Sequence, residues 1–340
     1  MKLFVRSRRT FFKRALWLLA GSFISTKIFN QTKYPIHMNP HPTYDVIIIG
    51  GSYAGLPAAM ALGRSLRSVL IIDSGNPCNR QTPHSHNFIT HDGDTPAEIA
   101  NLALEQVLAY STVKLKKGLA TNATQLDSGG FAVSIDNTET VIAKKLVFAT
   151  GMSDEMPAIK GFAECWGISV LHCPYCHGYE VKGLETGILA NGDMAYEFAK
   201  LISNWTDKLT VFTNGPSTLK AEHTAKLIAK EIEIVTKEIA EIKHENGKAT
   251  QLLFTDGSSQ PIKAIYARPA MKQHCNLPEQ LGCELTEMGH IKVDFMQKTT
   301  VKGIYAAGDC TSPLRAVAAA VASGNFAGAA LNKEMIEESF

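Results

Sequence analysis

Cys173-Pro174-Tyr175-Cys176 is the strongest chemical signal in the chain, set within His172-Cys173-Pro174-Tyr175-Cys176-His177-Gly178-Tyr179-Glu180. Two cysteines at this spacing can close a small disulfide. A neighbouring imidazole such as His177 can depress a thiolate pKa or move the proton that disulfide exchange requires. Other chemistries use the same residue types. A structural zinc site needs two further ligands, and Cys165 is near, but the chain has no second CxxC. Cys173 to His177 is also a literal C-x-x-C-H, the attachment pattern of a c-type haem, although a haem here would interrupt a nucleotide-binding pattern and has no obvious second axial ligand. Burial as ordinary core cysteines accounts for neither the spacing nor the adjacent histidine.

The elements that must position these residues begin upstream. Tyr44-Asp45-Val46-Ile47-Ile48-Ile49 is a β-branched run of the kind buried on both faces of a parallel sheet. It runs into Gly50-Gly51-Ser52-Tyr53-Ala54-Gly55, a helical Leu56–Leu66 and a second apolar strand, Ser68–Ile72, that ends in Asp73, 23 positions after Gly50. A strand, a glycine turn, a helix and an acid-ended strand together make a dinucleotide site. The turn brings backbone N–H groups and a helix N-terminus to a pyrophosphate, and the carboxylate takes ribose hydroxyls. Gly50, Tyr53, Ala54, Gly55 and Asp73 fall in place, with Ser52 where the middle glycine usually stands.

A second unit of the same plan starts about 140 positions later, with Thr186–Ala190 as strand, Met194–Ser203 as helix and Lys208–Phe212 as strand. Its turn has Ala190 in place of the first glycine, and the following strand ends in Thr213-Asn214-Gly215, which offers neither a carboxylate for a 2′-hydroxyl nor arginines for a 2′-phosphate. Between the units, Phe131–Ile135 and Thr140–Ala143 read as a hairpin and Leu146–Gly151 as another buried strand. Gly303–Asp309 repeats that form, and an alanine-rich helix over Leu314–Leu331 follows, interrupted at Gly324 and Gly328. The alternation predicts an α/β fold of two doubly wound, Rossmann-like domains, the second inserted into the first. The expected boundaries are 44–153 with 268–332 for the first and 154–267 for the second.

Composition bounds the functional classes. Of 340 residues 45% are apolar and 19% charged, enough for two globular domains. Residues 1–44 hold eight basic side chains and no acidic one, which leaves 26 basic against 32 acidic in the remainder. A net −6 there argues against nucleic acid as a partner. The basic stretch ends at Arg14 and an eleven-residue apolar run, Ala15–Ser25, follows, too short to span a bilayer comfortably. Within it Ser7-Arg8-Arg9-Thr10-Phe11-Phe12-Lys13 resembles the twin-arginine export motif. With no small-x-small cleavage site behind it, residues 1–43 form either a poorly cleaved export signal, giving a periplasmic or membrane-anchored protein, or sequence upstream of a true start at Met38, giving a cytoplasmic one.

The GGSYAG turn, Ala149-Thr150-Gly151, the CxxC of the second domain and Ala307-Gly308-Asp309 with Arg315-Ala316-Val317 stand in an order that resembles the low-molecular-weight thioredoxin reductases. The resemblance runs from Tyr44 to about Leu331. It implies FAD at the first turn, with Thr150, Gly151, Gly308, Asp309, Arg315, Ala316 and Val317 as further contacts, and Asn79-Arg80 and His86-Asn87 on a loop over the cofactor. It also implies a homodimer, Cys176 as the flavin-facing thiol and Cys173 as the thiol that exchanges with substrate. Two departures stand out: His177 replaces the family's usual aspartate, and the nicotinamide site is eroded. Both resemble the dithiol oxidases, which pass electrons from a small dithiol metabolite through CxxC and FAD to oxygen or another acceptor, with His177 as acid/base. The alternative is an NAD(P)H-dependent reductase of thioredoxin or a small disulfide, and a regulatory flavoprotein is a third class. Cys78, Cys165, Cys275, Cys283 and Cys310 read as buried small residues. His84, His86 and His91 read as part of the loop and not as a metal site.

Overall fold

The computed structural model describes residues 43–340, so the expected leader with Arg8 and Arg9 lies outside the described residues. Chain order opens with β1 (Thr43–Ile49), α1 (Gly55–Arg64), β2 (Val69–Asp73), α2 (Pro96–Leu108), β3 (Val113–Lys117), β4 (Ala120–Gln125), β5 (Phe131–Ile135) and β6 (Glu139–Phe148). Strands β3-β2-β1-β6 lie side by side and parallel, and β4-β5 extend the sheet as an antiparallel arm. The β-branched run of β1 is buried from Val46 to Ile49, as a strand covered on both faces requires.

After β6 the chain leaves this sheet through β7 (Met152–Glu155), α3 (Phe162–Cys165), β8 (Val170–Leu171) and α4 (Pro174–His177). It then builds β9 (Thr186–Leu189), α5 (Gly192–Ile202), β10 (Leu209–Phe212), α6 (Ala221–Ala229) and β11 (Glu233–Val235), followed by the meander β12 (Ile239–Glu245), β13 (Lys248–Phe254) and β14 (Ser259–Pro261), and by β15 (Ala264–Ala267). These make a second parallel sheet, β11-β10-β9-β15-β8, with the meander as a separate three-stranded sheet. The return passes through β16 (Ala270–Gln273), which pairs antiparallel with β7. After α7 (Leu277–Gln280), β17 (Ile304–Ala306) rejoins the first sheet beside β6, and α8 (Val317–Ser339) closes the chain. The fold is α/β, with two Rossmann-like sheets. Among the described residues no helix is long and apolar enough to cross a membrane.

Two elements differ from the sequence reading. The hairpin arm Thr140–Ala143 and the strand beginning at Leu146 are one ten-residue strand, β6. Lys144-Lys145 reads as a break, yet Lys145 is buried and its ammonium is held 2.7 Å from both Glu334 and Glu338 of α8. Strand β6 serves two neighbours in turn on one edge, β5 along residues 139–143 and β17 along 146–148. Helix α8 begins at Val317, later than expected, and runs eight residues past Leu331, because its last turns carry the acidic partners of Lys145. The β12–β14 meander had no counterpart in the sequence reading.

Candidate active site

Three small-residue turns that are far apart in sequence meet at one edge. Strands β1, β6 and β17 are adjacent and parallel, so their C-terminal ends bring Gly50, Ala149 and Ala307 together, joined by Ala149 N–H to Ile49 C=O at 2.8 Å and Ala307 N–H to Phe148 C=O at 2.9 Å. With β2 on one side of β1 and β6 on the other, this is the switch point at which open α/β sheets take ligands. Gly50 has φ +105°, and a Cβ there would lie 2.2 Å from the Ala149 carbonyl oxygen. A Cβ on Gly55 would lie 1.8 Å from the Gly50 oxygen, so both positions exclude any side chain. Gly308 (φ +84°) packs against Ala54, and its N–H donates to Ser323 Oγ.

Over this edge the structure leaves polar groups without partners and open backbone at Gly151. Helix α1 starts at Gly55 with Ala54 at its N-cap and no side-chain cap; Leu56 N–H is taken by the Ser52 carbonyl and Pro57 has none, so Gly55 is the first-turn residue whose N–H faces the turn. Asp73 accepts from Gly51 N–H and from Gly75 N–H at 2.6 Å, which fixes the carboxylate beside the turn. Thr150 Oγ1 is buried without a hydrogen-bond partner, while the space around the Gly151 Cα (φ +66°) is open. Ser52 spends only its carbonyl, on Leu56 N–H, so its small side chain leaves the approach free. Tyr53 turns its hydroxyl to the Pro96 carbonyl, 3.2 Å away, close to Asn79 and Ser85. These features fit FAD.

The remaining expected contacts divide. Asp309 is half-buried, and desolvation raises its carboxyl pKa against the opposing pull of Arg315. The Arg315 guanidinium is already paired in a fork with Asp154 of β7, at 2.6 and 3.0 Å, and Asp154 also accepts from Trp166 Nε1. Arg315 therefore faces the crossing strands, and what Ala316 and Val317 present is the uncapped start of α8. On the β2–α2 loop, Arg80 is exposed and donates to Pro77 C=O, and Asn87 (φ +61°) is exposed with its N–H on Asp92 Oδ1. His86 lies between Asp92 at 3.7 Å and Glu180 at 3.6 Å, so it reaches the CxxC segment.

Cys173 and Cys176 are joined in a disulfide. Pairing leaves neither thiol free for zinc or for a haem thioether, and among the described residues no cluster of three or more His, Cys, Asp or Glu could hold a metal. Proline at the first position of α4 presets the turn, and Cys173 stands at its N-cap. His177 ends the turn half-buried. Burial lowers its pKa, Glu180 pulls it back up and His86 lowers it further. His172 is packed against Trp166, and burial, with Arg315 and His177 adding to it, lowers its pKa to about 4. Of the other cysteines, Cys165, Cys283 and Cys310 are buried and Cys275 partly so, but Cys78 is exposed beside Asp309 and Arg315, contrary to the core role expected for it. Glu180 and Asp154 drew no attention in the sequence. Glu180 lies in the turn beyond α4, which ends at His177, and neither it nor Asp154 had a signal before its partner was placed.

The second turn is differently furnished. Asn191 caps α5 and its side-chain oxygen accepts from Gly192 N–H at 2.9 Å, Thr218 N–H at 2.8 Å and Thr218 Oγ1 at 3.1 Å. Asp193 puts a carboxylate in the first turn of α5, held by Lys220 at 2.9 Å. The helix end that would meet a pyrophosphate is thus capped from within and carries negative charge.

Comparison with known proteins agrees with this geometry. Residues 44–324 match the family described as pyridine nucleotide-disulphide oxidoreductase. A Leptosphaeria maculans protein named thioredoxin reductase sirT is 34% identical over 307 residues, 85% of this chain and 93% of that protein. Thioredoxin reductase tcpT of Claviceps purpurea is 32% identical, over 86% of this chain and 95% of its own length. The crystal structure of a Bacillus anthracis putative thioredoxin reductase TrxB superposes with a TM-score of 0.84 at 32% identity, covering 87% of this chain and 100% of that one. With these matches, the joined turns and the Cys173–Cys176 disulfide, the chain belongs to the pyridine nucleotide-disulphide oxidoreductases and is a thioredoxin reductase-like oxidoreductase acting on sulfur groups.

Proposed function

We propose that the protein oxidises a dithiol to a disulfide, holding FAD at the three joined turns and working without a nicotinamide cofactor. The observation that carries the direction is the internally capped second turn: Asn191 Oδ1 occupies Gly192 N–H, the first donor of α5, together with Thr218 N–H and Oγ1, and the Asp193–Lys220 ion pair ties up a cation at that helix end. In this reading the α1 N-terminus receives the pyrophosphate, Asp73 takes ribose hydroxyls, and Thr150, Gly151 and Asp309 line the remainder. When bound, FAD supplies a two-electron acceptor that oxygen or another oxidant can regenerate.

The chain's own residues handle sulfur and protons. A substrate thiol gives its proton to His177 as its sulfur bonds to Cys173 Sγ, and the Cys173–Cys176 bond breaks with Cys176 leaving as thiolate. The second substrate thiol then displaces Cys173, which takes up that thiol's proton while His177 returns the first proton to Cys176, releasing the cyclised or paired disulfide and leaving the enzyme dithiol. Half-burial keeps His177 neutral near pH 7, the form that can accept a proton. Export by the twin-arginine-like stretch around Arg8 and Arg9, if that reading of residues 1–43 holds, would favour this direction, because NADPH is confined to the cytoplasm.

Anaerobic titration of the flavin-loaded protein tests the reading. A small dithiol is expected to bleach the flavin absorbance and air to restore it, NADPH and NADH are expected to leave it unchanged, and Cys176→Ser is expected to stay yellow while dithiol-driven bleaching slows at least a hundredfold. Stoichiometric bleaching by NADPH would instead identify a disulfide reductase.

A further inference from the structure

The turn that carries the disulfide has a second, aromatic face. Tyr175 stands between the two cysteines, and Gly178 N–H donates to the Pro174 carbonyl at 2.7 Å, so the helical turn continues through Gly178 and places Tyr175, Gly178 and Tyr179 at i, i+3 and i+4. Trp205, in the loop after α5, packs onto that face: its ring meets the Tyr175 ring edge-on, with centroids 5.6 Å apart and planes at 89°. Gly178 has φ −66°, which any residue adopts, but a Cβ there would lie 2.8 Å from Trp205 Nε1, so the glycine leaves room for the indole. The backbone holds Trp205 from both sides, its N–H on the Ile202 carbonyl at 2.9 Å and its own carbonyl taking Gly183 N–H at 3.0 Å. The pair leaves Tyr175 65% exposed, beside a disulfide whose cysteines are both half-buried. Tyr179 is exposed as well, but the Lys182 ammonium already lies over its ring at 3.4 Å.

We propose that Tyr175, held edge-on by Trp205, is the substrate-recognition ring of the disulfide site, and that the dithiol it selects is a small uncharged molecule built on a flat ring. The inference rests on the reading of Cys173–Cys176 as the acceptor of electrons from a dithiol, and it names that dithiol's class. Consecutive Cα atoms are about 3.8 Å apart, so a substrate sulfur that reaches Cys176 or its partner brings the rest of its molecule within reach of the Tyr175 ring. An edge-to-face pair spends the edge of one ring and the face of the other, which leaves an aromatic corner open to solvent. A planar ring entering that corner gains ring contacts and takes apolar surface out of water. Charge favours a neutral occupant: the Lys182 ammonium is engaged on Tyr179, and Glu180, exposed on the same turn, repels a carboxylate. Trp205 acts through Tyr175 and is a positioning residue; with two side-chain torsions to fix, a tyrosine is ordered at low entropic cost by one ring contact.

The test compares ortho-benzenedimethanethiol with dithiothreitol, two dithiols that close cyclic disulfides of the same ring size and differ in the aromatic ring. Each is used to bleach the flavin-loaded, full-length protein under nitrogen, and the half-saturating concentration and limiting rate are measured. Wild type is expected to half-saturate at a lower concentration of the aryl dithiol. Tyr175→Leu is expected to raise that concentration about three- to tenfold relative to the one for dithiothreitol, with the larger change in half-saturation and not in limiting rate. Tyr175→Phe should keep the preference, Trp205→Leu should weaken it and Trp205→Phe should restore it. Binding is read separately by titrating the cyclic disulfide of the aryl dithiol against tryptophan fluorescence, a saturable change that is expected to be lost in Trp205→Phe and weakened in Tyr175→Leu. Equal preference in wild type and Tyr175→Leu overturns the proposal, and so does a Tyr175→Leu effect confined to an added thioredoxin and absent from both small dithiols. The reading beneath it fails differently: neither dithiol bleaches the wild-type flavin, while binding of the aryl disulfide still depends on Tyr175.

Discussion

His172 shows how a residue beside the disulfide carries a cost that depends on pH. Its ring hydrogen-bonds the Arg315 backbone, lies 5.8 Å from the Trp166 ring and leaves Nε2 buried without a partner. Desolvation is the main cause of its depressed pKa, with the Arg315 charge and His177 adding to it. A folded value of about 4 against an unfolded 6.5 means that the unfolded chain binds the proton first as pH falls. Stability from keeping His172 neutral is therefore fully present above pH 6.5 and is lost as pH drops toward 4, on the order of 3 kcal/mol in all. Denaturant unfolding at pH 7 and at pH 4 should show wild type losing more stability than His172→Gln by roughly that amount. Parallel losses would mean the ring takes up its proton inside the folded protein. Neighbouring His177 keeps more solvent and a carboxylate nearby, which suits it to exchange protons where His172 cannot.

At the scale of elements, the cradle depends on how closely α8 crosses α1. A Cβ on Gly324 would fall 2.0 Å from the Ala54 carbonyl oxygen, and one on Gly328 2.6 Å from that of Ala58. In an exposed helix, glycine to alanine gains about 1 kcal/mol of propensity. Here the added methyl meets backbone that cannot move without shifting the start of α1, and overpacking of that kind costs about 1–3 kcal/mol or more. Gly324→Ala is thus expected to lower stability by a net 1–2 kcal/mol and to reduce flavin content in the purified protein, read by the ratio of visible to ultraviolet absorbance and by thermal unfolding; an unchanged ratio with a higher melting temperature would show the crossing to be loose. The same helix shows what could be read in advance. Gly324 and Gly328 looked like interruptions because a sequence displays propensity and not the neighbour that requires the glycine. The turns at Gly50 and Gly308 were legible, because close backbone approach at a strand end leaves a local pattern. Lys144-Lys145 misled, since a lysine inside a buried strand is tolerable only once Glu334 and Glu338 have been brought to it from 190 residues away.

Across the whole molecule, the two sheets are linked by the β7–β16 ladder, and the ion pair of Asp154 with Arg315 joins that ladder to the loop before α8. Both side chains are nearly enclosed, 5% and 11% exposed, so neither charge can turn to water if the other is lost. A buried pair adds little against an apolar replacement of both partners, but removal of Asp154 leaves Arg315 with only Asp309, 3.6 Å from its Nε, so the loss lies toward the lower end of the about 3–5 kcal/mol that breaking a buried pair costs. Asp154→Ala is expected to fall in that range, losing roughly 6–15 °C in melting temperature, while Asp154→Ala combined with Arg315→Met recovers at least half of the loss. Recovery would identify the stranded guanidinium as the source of the damage; a double variant no better than the sum of its parts would assign it to lost packing between β7 and α8. Either result bears on catalysis, because the ladder carries the CxxC segment relative to the turns at Gly50, Ala149 and Ala307. A thiol site on one sheet can serve a cofactor site on the other only if that ladder holds its register, and the Asp154–Arg315 pair, with Gln273 Nε2 donating to Cys310 C=O at 2.9 Å, ties the ladder to the cofactor side.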